Sequence, residues 1–175
     1  MDFDLDAAIT VLERTPATLR AWLGGLDEGW TRANRGAETF SPFDLVGHLI
    51  HGERTDWMPR ARIILAQGER VPFEPFDRFA QVEASRGKGL EELLATFAEL
   101  RARNLEELRA LDLGPAELAR TGTHPALGRV SLRELLATWV VHDLDHLGQI
   151  ARTLAWQYRG EVGPWGEYLP ILTRT

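Results

Sequence analysis

Residues 131–154 read SLRELLATWVVHDLDHLGQIARTL. Ser131 followed three positions on by Glu134 is a helix-start signature, because each side chain can satisfy the other's free backbone N–H. Beyond it Leu135, Leu136, Trp139, Leu147, Ile150 and Leu154 recur at helical spacing, which predicts a helix from Ser131 to about Tyr158, with Gly160 beyond its end. Its apolar stripe has to be buried against other elements. His142 and His146 lie on the flank of that stripe, His146 nearer its centre. Four positions apart, they are separated by about 40° of rotation and one turn of rise, so two imidazoles can chelate one ion.

Three further segments carry the same period. The first spans about Asp4 to Leu23; Pro16 inside it predicts a kink or two shorter helices near Thr15, and Gly24-Gly25 ends it. The second opens at Ser41-Pro42-Phe43-Asp44, with a capping serine, a proline suited to the first helical position and an acid at the positive helix end. It runs towards Ala66 and Gln67, with a kink expected at Pro59 and a stop at Gly68. The third covers about Leu90 to Leu111. Residues 71–89 contain Pro72, Pro75, Gly87 and Gly89 and read as a crossover connection holding one short helix. Gly114-Pro115 begins a short helical turn, Thr121 to Val130 reads as a glycine-containing loop, and the apolar tail from Trp165 to Leu172 is expected to pack back on the body. The pattern predicts one all-α domain over residues 1–175, a four-helix bundle with a long crossover connection between helices two and three.

Composition narrows the function. The 175 residues are 44% hydrophobic and 26% charged, as in a core-forming globular chain. Twenty basic against 26 acidic residues leave a net charge of -6, which disfavours a nucleic-acid partner. No cysteine is present, so disulfides, thiolate ligands and a cysteine nucleophile from this chain are all excluded. No apolar run reaches the roughly 18 residues of a membrane span, and the acidic N-terminus differs from a secretory signal; a cytoplasmic location is expected.

Of the five histidines, His48 follows the capped start of the second helix, between Leu45 and Leu49, where helix packing can bring it to the His142/His146 pair. Three neutral imidazoles with an open position suit zinc, nickel or ferrous iron. His51 competes with His48 but reads as a rim residue, as does His124 in its His-Pro loop context. Asp143 falls within the apolar stripe, so it needs buried partners: either a structural hydrogen bond or a ligand imidazole that it orients. Gln149 stays on the ligand side, able to touch a substrate or a metal-bound water. Glu53 and Asp56 are candidate general bases.

The stretch Ser-Pro-Phe-Asp-Leu-Val-Gly-His48-Leu-Ile-His-Gly-Glu-Arg-Thr-Asp-Trp, with Leu-Leu-Ala-Thr-Trp-Val-Val-His142-Asp-Leu-Asp-His146-Leu-Gly-Gln-Ile far downstream, resembles the DinB-like (DinB/YfiT) metalloenzyme family over nearly the whole chain. The resemblance implies a four-helix bundle in which His48, His142 and His146 hold a divalent ion, and it implies a homodimer. It leaves the reaction open between hydrolysis and transfer or isomerisation using an external low-molecular-weight thiol, with a small-molecule substrate in either case. A metal-dependent hydrolase or thiol transferase is therefore expected. The alternatives are a non-catalytic metal- or small-ligand-binding stress-response bundle, and a bundle without metal.

Overall fold

The computed structural model describes residues 1–37 and 39–173. Two of the helical segments are broken. The first divides into α1 (Leu5–Leu12) and α2 (Thr15–Leu23), with Pro16 in the first turn of α2, where its missing N–H costs nothing. A short α3 (Glu28–Thr31) follows. The second divides into α4 (Pro42–Thr55) and α5 (Trp57–Gln67). This break falls at Asp56, three residues before the expected kink at Pro59. A proline ring collides with the carbonyl four residues earlier, here Thr55, so the ladder gives way upstream of the ring. α6 (Ala80–Ala84) interrupts the connection to α7 (Leu90–Ala110) and packs on α4. After α8 (Pro115–Leu118), α9 (Leu132–Trp156) closes the body, and the turn at Pro170–Leu172 rests on it, while Trp165 and Tyr168 stay exposed.

Both capping signals form. Ser41 Oγ accepts from the Asp44 N–H while Asp44 Oδ2 accepts from the Ser41 N–H, and Ser131 and Glu134 make the same exchange. α4 packs on α7 and α9, α1 on α9, α2 on α7 and α5 on α9, giving four helical limbs around a shared interior.

The expectation of an all-α chain is corrected at Thr121 to Val130. Instead of a loop, β1 (Thr121–His124) and β2 (Gly128–Ser131) form an antiparallel hairpin in which His124 faces Gly128. Gly128 has φ +75°, the left-handed residue that closes a three-residue hairpin loop. Phe73 N–H donates to the Thr123 carbonyl at 2.9 Å, so the start of the 71–89 connection is tied to the hairpin.

The core comes in two apolar clusters. One, around Leu12, Trp57, Met58, Leu105 and Trp139, joins the hairpin end of the limbs; the other gathers Leu19, Val46, Leu49, Phe97 and Ile150. Between them lies a buried polar layer. Arg101 of α7 donates twice to Asp143 (2.6 and 3.0 Å), twice to Glu53 (3.1 and 2.8 Å) and once to the Leu12 carbonyl (2.8 Å). Thr15 donates to Asp143, and Asn104 and Trp139 Nε1 donate to Glu53. Every limb therefore contributes to one hydrogen-bonded knot, and each acceptor oxygen in it has a donor, the condition under which buried charge is tolerated.

Candidate metal centre

α4 and α9 cross beside this knot and bring three imidazoles together. His48 Nε2 is 3.2 Å from His142 Nε2, which is 3.0 Å from His146 Nε2. Adjacent ligand atoms on a tetrahedral ion with metal–nitrogen bonds of about 2.0–2.1 Å stand about 3.3–3.4 Å apart. The three nitrogens thus lie at the separation a shared ion requires, and among the described residues these are the ones grouped closely enough to hold one.

Proton arithmetic points the same way. Gln149 Nε2 donates to Asp145 Oδ2 at 2.7 Å, which turns Gln149 Oε1 towards His146 Nδ1 at 3.2 Å. His146 therefore carries its proton on Nδ1, and its Nε2 presents a lone pair. A proton kept on His142 Nε2 would have to be shared between His48 at 3.2 Å and His146 at 3.0 Å, whereas a cation would take all three lone pairs at once. His48 Nδ1 and His142 Nδ1 are buried without a hydrogen-bond partner among the described residues, while Phe76 and Trp57 pack edge-to-face on the two rings.

All three rings are held neutral, the ligand-competent form. Burial and the neighbouring imidazoles, with smaller contributions from Arg78 and Arg101, push His48 down to about 4 and His142 down to about 3. Burial also lowers His146, opposed by its hydrogen bond to Gln149 and by the charges of Asp145 and Asp143.

The trio opens into a cavity of about 520 Å³. Phe40, Phe73, Phe76, Leu127 and Val130 supply apolar walls, and His124, Glu134, Thr138 and Asp145 add polar groups. Asp56 lies in the wall, ion-paired with Arg60 at 2.8 Å; burial pushes its carboxyl up to about 6 despite that partner.

The residues singled out from sequence thus separate. His48, His142 and His146 meet, Gln149 touches one of them, and Asp56 lines the cavity. Glu53 does not reach it: α4 turns that carboxylate into the knot, where Arg101, Asn104 and Trp139 occupy its oxygens. The hydrogen bonds of Asp143 likewise go to Arg101 and Thr15 and not to an imidazole, which is the structural one of its two readings. The residue that does orient an imidazole is Gln149. His51 packs on the Phe76 ring that also touches His48, but it is not one of the three grouped ligands. His124, read as a rim residue, lines the cavity from the hairpin; its Nδ1 accepts the Ala126 and Leu127 N–H groups, leaving the proton on Nε2. Asp145 was missed, although its i, i+4 spacing to Gln149 carried the signal.

The sequence model of the DinB superfamily matches residues 11–150. None of the curated proteins matches the chain. Among solved structures, the chain is similar to YfiT from Bacillus subtilis, described as a probable metal-dependent hydrolase with an unusual four-helix bundle topology. The two share 23% identity and a TM-score of 0.76 over 87% of each chain, a likeness of fold. Since the family match runs from Val11 to Ile150 and encloses all three converging histidines, the chain belongs to the DinB superfamily.

Proposed function

We propose that this protein is a divalent-metal-dependent enzyme acting on a small molecule, with His48, His142 and His146 as the protein ligands and zinc, nickel or ferrous iron as the ion. The observation that carries this reading is the convergence of three neutral Nε2 atoms at the floor of a cavity. When bound, the ion supplies Lewis acidity, making a water or an external low-molecular-weight thiol acidic enough to act as a nucleophile near neutral pH. Hydrolysis and thiol transfer are the two reactions this supports, and the chain's lack of cysteine means that any thiol comes from outside.

The chain's own groups have separable tasks. Gln149 holds the His146 ring in the ligand-ready tautomer, and Asp145 holds Gln149. Asp56, with its carboxyl near 6, is poised to take or return a proton close to neutrality, the requirement for a general base. Phe73, Phe76 and Leu127 give the cavity apolar walls. The connection at residues 71–89 is read as the crossover that carries Phe76 and Arg78 over the site. No helix among the described residues is long and apolar enough to cross a membrane. A cytoplasmic location, and a homodimer formed through the exposed apolar face of α9 at Val141 and Leu144, complete the reading.

The test is turnover by the metal-loaded protein in parallel ester-hydrolysis and thiol-transfer assays, with and without an added small thiol. Activity that vanishes in His142→Ala supports the reading, and its thiol dependence chooses between the two reactions. Full metal occupancy with no turnover in either assay would instead support a binding protein.

A further inference from the structure

α9 carries its site-facing side past the imidazoles. Gln149 lies three positions beyond His146, and Arg152 three beyond Gln149, spacings that keep all three on one side of the helix. Gln149 and Arg152 line a second hollow, of about 280 Å³, whose other walls come from segments distant in sequence: Arg35 and Phe40 before α4, and Arg78 before α6. Phe40, Arg78 and Gln149 line the histidine cavity as well, so the two hollows share a wall.

Three arginines line this small space, and no carboxylate residue does among the described residues. Arg35 and Arg78 stack on aromatic faces instead, at 5.9 Å from Trp156 and 5.2 Å from Phe79. Stacking uses the flat face of a guanidinium and leaves its N–H edge free to grip an anion bidentately. Converging like charges repel one another, and in a chain of net charge -6 general composition does not account for their gathering beside the site.

We propose that this hollow is an anion subsite: it takes the carboxylate or phosphate end of the substrate, whose uncharged body runs past Phe40 into the cavity over the histidines. The substrate class is thus a small molecule with an apolar body and an anionic tail. The direction of that body rests on the metal-centre reading, whereas capture of the anion does not.

The test therefore uses protein without metal, so that an anion cannot bind to an ion at the imidazoles. Inorganic phosphate and succinate are titrated calorimetrically into chelator-treated wild-type protein and into the His142→Ala variant. Saturable binding of either probe in both backgrounds is expected. Arg152→Gln and Arg78→Gln should each weaken it by at least about tenfold, the scale of one charge-assisted hydrogen bond. Both side chains are at least partly exposed, so folding is not at stake. Arg129→Gln, which breaks an exposed pair with Glu69 on the hairpin, should leave binding unchanged. Absence of saturable binding, or equal binding by wild type and Arg152→Gln, overturns the proposal. A wild-type protein that binds phosphate but takes up no metal would overturn the metal centre and leave the subsite standing.

Discussion

His48 Nε2 and His142 Nε2 lie 3.2 Å apart although 94 positions separate the two residues. The contact is fixed by packing rather than by local sequence: α4 and α9 are tied to one another through Arg101, which binds Glu53 five residues after His48 and Asp143 one residue after His142. The polar knot is thus the structural reason that the imidazoles meet.

Removing that tie should be costly. Arg101→Met leaves Glu53 and Asp143 buried without their cation, and truncating one member of such a buried set costs about 3–5 kcal/mol. Urea denaturation of the metal-free protein measures it; a loss below about 1 kcal/mol would show that the knot does not hold the limbs.

Gln149→Ala should leave the fold intact and weaken metal binding by about 10–100-fold, because the His146 ring loses the partner that fixes its tautomer. Asp145→Asn should do less, since it acts on the imidazole only through Gln149. Competition against a metal-binding dye reads both. Equal affinities for wild type and Gln149→Ala would remove Gln149 from the account.

The pH dependence of the metal-free protein has a defined sign. His48 and His142 titrate near 4 and 3 in the folded state against an ordinary 6.5, so the unfolded chain binds more protons between these limits. Their contribution to stability is complete above about 6.5 and is lost as pH falls towards 3. Asp56 runs the other way: with its carboxyl raised from 3.8 to about 6, its contribution is present below about 4 and lost as pH rises through 6. Two imidazoles outweigh one carboxyl, so stability at pH 5 should lie below that at pH 7. Asp56→Asn should steepen the fall on acidification. Urea titrations across this range check both slopes, and a flat profile would contradict the buried, neutral imidazoles.

At the hairpin, a Cβ on Gly122 would stand 2.8 Å from Ile64 and 3.0 Å from Phe73. Gly122→Ala should therefore destabilise by about 1–3 kcal/mol through overpacking. A neutral result by thermal or urea denaturation would mean that the hairpin does not press on α5 as described.

How far the sequence discloses this molecule follows from the range of each interaction. Ser41 and Ser131 act within one helical turn, so both helix starts are readable, and the i, i+4 step between His142 and His146 is set by helix geometry alone. The Thr121 to Ser131 hairpin was hidden because its strands are short and its closing signal, Gly128 at φ +75°, looks like any loop glycine. Glu53 and Asp56 could not be told apart from periodicity: three residues and a helix break send one into the knot and the other into the cavity wall. The partners of Asp143, Arg101 and Thr15, come from other limbs and appear only once the bundle is assembled.

If His48, His142 and His146 hold one divalent ion, elemental analysis of purified, untagged protein beside its His142→Ala variant will show it. Near-stoichiometric zinc, nickel or iron is expected in the wild type, and its loss from the variant. Wild-type protein that is metal-free and takes up none of these ions when they are added would contradict it.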